Sequence, residues 1–376
     1  MSTSTTGSIT PRPDTESMQD LLPGFPFACT YSRYTKEELF ENAVEYIANI
    51  KDDDLHLRTV LLPKYNKGYM INDKMKHGTI IVCNDNELKD YMEVDMLTDF
   101  YNEYLRLSTS KRYFKKLTPA QIWQRDSQVI IEKTRSKYPK TKIDTLSFPS
   151  LLRSEFFNYA GESTNFRITV AITIYTIFEA KRILDISSGW GDRLLAALAY
   201  SRRTKDFELY YGVDPTIGLF EGYSNMIMDF GMECCTDQPY AEKFIMQNGP
   251  FEEVEILTPS DKPFDLVFTS IPYFDFEEFD IGKDSSTAQM QSIKKFPTQE
   301  RWLYGFFLPS MIKASRLLCS GGHLAINMEQ QFVPPALQLW EKTYSVDTFP
   351  YKIVYKGIIA YRSAKADRPI FVWQKL

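Results

Sequence analysis

Three short stretches place residues that could do chemistry at the ends of apolar runs. The first, "ILDISSGWGDRLLAAL", closes on Asp185 and turns through Gly189-x-Gly191 into a helical pattern. Glycines there let a ligand approach the backbone closely, and the helix start that follows carries partial positive charge. Ser187 and Trp190 sit inside that turn. The second, "FELYYGVDPT", ends in Asp214 and Pro215. A carboxylate at such a strand end can accept two hydrogen bonds from ribose hydroxyls, although a strand-ending Asp before Pro is also ordinary turn chemistry. The third, "FDLVFTSIPYF", runs into Ser270-Ile271-Pro272-Tyr273.

Gly-x-Gly followed by a strand-terminal Asp suits a dinucleotide enzyme as well as other nucleoside binders. The strict G-x-G-x-x-G is missing, because its third position is Leu194. Asp192 occupies the place where a pyrophosphate would lie, and a carboxylate there repels phosphate. A nucleoside ligand without phosphates suits the turn better, which favours S-adenosylmethionine. In "QNGPFEEV", Phe251 could pack on an adenine ring, with Glu252 or Asn248 reading its amino edge. His56, His77 and His323 have no metal-ligand spacing, and His323 is expected to pack against a sheet. Five cysteines without C-x-x-C spacing suggest reduced thiols in an intracellular compartment and no zinc site. The acids Asp275, Glu277, Glu278 and Asp280 read as a solvated loop cap.

Elements that would position these residues alternate strand and helix from about residue 150 onward. That pattern predicts an α/β, Rossmann-like sheet, mostly parallel, ending in the strand pair "KIVYKGIIAYR" and "RPIFVWQKL". A helical-rich accessory region precedes it. Residues 36–50 have helical apolar spacing, 79–83 are a candidate strand, and 86–107 look helical. Thr118 and Pro119 are placed as N-cap and first residue of a further helix. The expected division is a disordered tail over 1–25, the accessory region over 26–150, and a catalytic domain over 151–376. No apolar run approaches the ~18 residues of a spanning helix, so no membrane is expected. The opening residues lack the basic-then-apolar order of a secretory signal.

The net charge of -5 argues against a protein that coats nucleic acid over its whole surface. From Arg106 to Lys142, however, eleven Lys or Arg face two acids. Such asymmetry is the footprint of a confined phosphate-binding face, or equally of a solvated helix. Lys111, Arg112, Lys115 and Lys116 are the leading phosphate candidates.

The combination "DISSGWGDRLLAA", "GVDPT", "FTSIPYFDFEEF" and "QSIKKFPTQERWLYGFFLPSMIKASRLLCSGGHLAINM" resembles class I S-adenosylmethionine-dependent methyltransferases. More narrowly, it resembles the phage and large-virus DNA methylase-like proteins, over roughly residues 150–376. Their strand-end tetrapeptide is of the (Asp/Asn/Ser)-Pro-Pro-(Tyr/Phe) kind. The resemblance implies methyl transfer to an exocyclic amino group, cytosine N4 or adenine N6, in a nucleic acid, DNA before RNA. It implies that Ser270 and the Ile271 carbonyl accept the amino hydrogens, that Pro272 shapes the loop, and that Tyr273 stacks on the base. Cofactor contacts would come from Asp185, Ser187, Gly189, Trp190, Gly191, Asp214, Pro215, Phe251 and Glu252. No metal is implied, and a viral source would place the chain in host cytoplasm or virion. Gln291, Phe296 and Trp302 match the downstream motif without a role that residue chemistry assigns. The sequence departs from the pattern at Ile271, where a first proline is usual, and at Ser187, Ser188 and Asp192. A methylase fold kept for binding or structure, and an RNA or protein methyltransferase, are the alternatives.

Overall fold

The computed structural model describes residues 20–49, 57–61, 77–81, 89–109, 117–140, 147–231, 240–258, 262–272, 274, 289–328, 333–362 and 367–376. In chain order the main elements begin with α1 (Lys36–Asn49), β1 (Leu57–Leu61), β2 (His77–Ile81), α2 (Asp99–Leu107), α3 (Pro119–Lys137), α4 (Phe148–Ala160) and α5 (Ile168–Ile177). There follow β3 (Arg182–Asp185), α6 (Asp192–Arg203), β4 (Leu209–Asp214), α7 (Phe220–Phe230), β5 (Phe244–Asn248) and β6 (Phe264–Ser270). The chain ends with α8 (Leu308–Leu317), β7 (Leu318–Asn327), α9 (Val333–Tyr344), β8 (Ile353–Arg362) and β9 (Asp367–Lys375).

The nine strands among the described residues form one sheet in the order β1-β2-β8-β9-β7-β6-β3-β4-β5. From β5 through β7 every neighbouring pair is parallel. β9 is antiparallel to both β7 and β8. This is the expected Rossmann-like α/β sheet, in which the chain leaves from β3 toward β5 and returns to β6 on the other side. The expected strand at 79–83 lies at 77–81 and extends this same sheet, pairing parallel with β8. The stretch expected to be helical over 86–107 is a 3-10 helix over Lys89–Met96 followed by α2.

Period-two alternation divides the core between the two sheet faces. Leu266, Phe268, Ala325, Ile370 and Val372 pack on the face covered by α1, α5, α6 and α7. Val267, Leu324, Ile326, Phe371 and Trp373 pack on the opposite face with Met311, Leu337 and Trp340. α5, "ITVAITIYTI", is rich in β-branched residues yet helical, because it is apolar all round and buried along most of its length. α3 starts as predicted: the Thr118 side chain accepts from the Gln121 amide, and Gln121 reciprocates in a capping box.

A third cluster gathers Leu22, Phe25, Phe27, Trp123, Leu152 and Phe156. Residues 1–19 of the expected tail lie outside the described residues, but Leu22 and Phe25 are buried in this cluster. Ion pairs beside this cluster join α2, α4 and the segment that follows α4. Arg106 on α2 pairs with Asp99 and Glu162, each at 2.8 Å. Arg153 on α4 reaches Glu103 at 3.1 Å and grips Glu162 with both terminal nitrogens. Glu103 also accepts the Ala28 amide at 2.7 Å. Burial works to raise the Glu162 carboxyl, but Arg153 and Arg106 overcome it and hold the group below its ordinary value. Arg106, counted above in the basic stretch, is therefore an internal charge. Of the other cations there, Arg125 pairs with Asp126, and Lys137 with Glu155.

Arg153→Met removes one of the two guanidinium partners of the buried carboxylates Glu103 and Glu162 and leaves them only Arg106. We expect it to destabilise the fold by about 3–5 kcal/mol. A urea midpoint within error of wild type would show that the network carries little of the stability.

Candidate active site

The carboxyl ends of β3, β4 and β6 meet where the sheet order reverses, the position at which open α/β sheets bind ligands. A cleft with ≈ 1040 Å³ of empty space, open solvent included, lies there. Ser187, Gly189, Trp190, Asp214 and Pro215 line it from the β3 and β4 ends, and Ser270, Ile271 and Pro272 from the β6 end. Eight residues singled out from sequence thus border one cavity. Tyr273, Lys111, Arg112, Lys115 and Lys116 lie outside the described residues.

Four other candidates do not line the cleft. Asp185 is fully buried beneath the turn, where its Oδ2 accepts from Arg193 Nε at 2.7 Å and the Tyr210 hydroxyl at 2.8 Å. Arg193 also donates to the Ser187 carbonyl. Gly191 is the N-cap of α6 with φ 101°, a backbone conformation that strains any side chain, and a Cβ there would push the Met226 side chain aside. Phe251 is buried in the core with Lys313 Nζ 4.6 Å above its ring. Glu252 is drawn to Lys295 at 2.8 Å. The partners of both come from segments distant in sequence. Asn248 donates to the Asp214 carbonyl at 3.1 Å.

Asp214 is buried at the cleft wall. Its Oδ2 accepts from the Gly189 amide at 2.8 Å and its Oδ1 from the Thr216 amide at 2.9 Å. An ionised carboxylate has about four acceptor positions, so ligand hydroxyls can still be received. Burial pushes its pKa up to about 6 against the two amide hydrogen bonds.

Residues before position 110 reach into the turn, which no local signal in the sequence announces. Asn102 on α2 donates to the Trp190 carbonyl at 2.8 Å. It fits because Gly222 on α7 has no side chain; a Cβ there would lie 2.2 Å from Asn102 Oδ1. Thr98 donates to Asp192 Oδ1 at 2.6 Å, and the Phe166 amide to Asp192 Oδ2 at 3.1 Å. Asp192, read above as opposing a phosphate, is thus tied by both oxygens to protein donors. Asn165 lines the cleft as well; its Nδ2 donates to Asp99 at 2.9 Å, leaving Oδ1 a buried acceptor with no partner among the described residues.

At the β6 end, Ser270 lies opposite Asn327 of β7. The Ile271 amide donates to the Asn327 carbonyl at 3.4 Å, and its side chain is 3 % exposed. Proline at this position would lack that donor. The loop is therefore held by burial and a long hydrogen bond in place of a ring. Phe274 lines the cleft and packs on Trp302, which stacks on Phe307. Trp302 and Gln291, whose motif positions suggested no role, thus support the loop and line the cavity respectively. His323 packs on Phe178 at 4.6 Å, away from the cleft lining. Among the described residues no group of His, Cys, Asp and Glu could hold a metal ion, and no helix is long and apolar enough to cross a membrane.

Burial raises the Asp192 pKa from 3.8 to about 7, against the Thr98 hydrogen bond and the Arg193 charge. The folded state then holds a proton that the unfolded chain has released, so this group's stabilising contribution is lost as pH rises from 3.8 through about 7. Asp95, Asp214 and Asp265 are shifted in the same direction. We expect Asp192→Asn to unfold with a shallower fall in Tm between about pH 4 and about pH 7 than wild type. Parallel Tm profiles for the two proteins would contradict the assignment.

Comparison of the sequence with protein-family models and with curated proteins gives no match. Among solved structures, TrmN from Thermus thermophilus is similar over 56% of this chain and 49% of its own, at 14% identity and TM-score 0.34. A putative rRNA methylase from Clostridium thermocellum is similar over 57% of this chain and 100% of its own, at 10% identity and TM-score 0.34. The O-methyltransferase TomG from Streptomyces achromogenes, in complex with S-adenosylmethionine, is similar over 55% of this chain and 78% of its own, at 12% identity and TM-score 0.32. The chain spans about half the length of the Thermus protein. The Rossmann-like fold follows from the strand order and register alone.

Proposed function

We propose that the cleft binds S-adenosylmethionine and that the protein transfers a methyl group to an exocyclic amino nitrogen of a nucleic-acid base, DNA ahead of RNA. One observation carries the reading: Asp214 and Gly189 at one end, and Ser270, Ile271 and Pro272 at the other, border a single cavity. The residues fit the cofactor. Asp214 would receive its ribose hydroxyls, Leu219 offers an apolar surface to its adenine, and the orphaned Asn165 Oδ1 is an acceptor suited to its ammonium group. When bound, the cofactor supplies an electrophilic methyl carbon on a sulfonium.

The remaining work belongs to the protein. An amino nitrogen on adenine or cytosine is a poor nucleophile because its lone pair is delocalised into the ring. The Ser270 hydroxyl and the Ile271 carbonyl accept its two hydrogens and so localise the pair. Tyr273 stacks on the base, which must leave a duplex to enter. Holding the nitrogen at one fixed place supplies much of the acceleration by orientation, and the nitrogen, once it carries the methyl group, releases one of its two hydrogens as a proton to solvent. The buried Ile271 side chain and its amide hydrogen bond fix position 271 without the usual proline, which supports an active enzyme over a degenerate one. Lys111, Arg112, Lys115 and Lys116 would hold phosphates outside the cleft.

Calorimetric titration with the cofactor and transfer of its tritiated methyl group into DNA, RNA and protein test the reading. Asp214→Ala should weaken cofactor binding roughly tenfold or more. Wild-type affinity should fall as pH drops below about 6, where Asp214 takes up a proton. Ser270→Ala should bind cofactor normally and lose about 10²-fold in transfer, the scale of one preorganised hydrogen bond. Binding without transfer to any pool would favour the degenerate alternative; label in RNA or protein would reassign the substrate. Absence of binding at millimolar cofactor would sink the proposal.

A further inference from the structure

Four charged side chains among the described residues line the cleft: Asp192, Arg193, Asp214 and Arg368. Asp192 and Arg193 open α6 after the glycine turn, and Asp214 ends β4. Arg368 enters from the far side, on β9. Asn327 of β7 pairs with Ser270 on one flank and with Ile370 of β9 on the other. Because β9 runs antiparallel, Arg368 stands two residues beyond that row, at the carboxyl edge where the cleft opens. Strand geometry puts its Cα about 10 Å across the sheet from Ser270 and about 7 Å further along.

We propose that Arg368 binds a backbone phosphate of the nucleotide whose base enters the Ser270–Pro272 pocket. A base seated with its amino group at Ser270 must send its sugar and phosphate out through the mouth of the cleft. Asp214 makes one wall unfavourable for a phosphate, and Arg368 makes the opposite one favourable. The guanidinium fork matches two phosphate oxygens at once, which a lysine ammonium cannot do. Such a contact fixes where the strand lies without reading its sequence. Arg368 is therefore a substrate-positioning residue of the same site. The inference rests on the base-pocket reading above and assigns its polyanion a place.

The test uses the full chain, a labelled, short, single-stranded oligodeoxynucleotide of mixed sequence, and anisotropy titrations over a range of salt. Arg368→Gln should weaken binding roughly tenfold or more at low salt. It should also reduce the slope of log K against log salt by about 0.7, the value of one phosphate on a single strand. Arg368→Lys should keep the slope and still lose affinity, since the charge remains and the fork is gone. Cofactor affinity should be unchanged in both. A wild-type slope and affinity in Arg368→Gln would overturn the inference and leave the pocket reading standing. So would a loss confined to cofactor binding, which would move Arg368 to the cofactor. If Arg368→Gln does not fold, Arg368→Lys decides: weaker oligonucleotide binding supports the contact, and unchanged binding refutes it. A wild-type protein that binds cofactor but no oligonucleotide overturns both this contact and the nucleic-acid substrate.

Discussion

A charge pair sealed beneath the point where the sheet order reverses, Asp185 with Arg193, is the contact on which the site stands. Asp185 closes β3 with no exposure to solvent, and an ionised carboxylate there is tolerable only when paired. Arg193, on the first turn of α6, supplies the charge and also ties down the Ser187 carbonyl. Tyr210 brings the neighbouring strand into the same cluster. Both ends of the turn are thereby fixed, which leaves the Gly189 amide aimed at Asp214 on β4. Two strands and one helix thus agree on a single turn geometry, and the cleft wall follows from it.

The same logic of paired burial joins α2, α4 and the segment that follows α4. Arg106 and Arg153 are buried with Asp99, Glu103 and Glu162, a group that would be costly with any member missing. Its effect is geometric as much as energetic. Asp99 holds Asn165 at the cleft, while Thr98 and Asn102, at the start of α2, grip the glycine turn from outside. α2 consequently acts as a brace for the wall that carries Asp214. The opposite wall is built differently, from strand ends packed on Trp302, Phe307 and the buried Ile271. One wall is held by charge and hydrogen bonds and the other by apolar packing.

Much of this was legible before any coordinates, because it depends on neighbours in the chain. Alternating strands and helices announced the sheet, Thr118-Pro119 announced a helix start, and the glycine turn, Asp214 and Ser270 each stood at a strand end. Strand ends on one edge of a parallel sheet must converge, so the cleft was implied by the pattern. Phe251 and Glu252 were placed by the same logic, but Lys313 and Lys295 lie next to them in the fold and draw them elsewhere. The basic stretch likewise contained Arg106, which charge counting could not separate from surface cations.

What the sequence determined by itself was the order of elements and the identity of the groups offered at the sheet edge, since both follow from local periodicity and turn chemistry. Tertiary structure alone decided which charges were internal, which acids faced the cavity, and how Ile271 holds a loop that a proline would hold by its ring. Those outcomes depend on partners dozens to more than a hundred residues away: Thr98 on Asp192, Asn102 on Trp190, Asn327 on Ile271, and Arg368 across the mouth from Asp214. A buried polar group takes whichever partner the fold brings to it, and that choice is made in three dimensions.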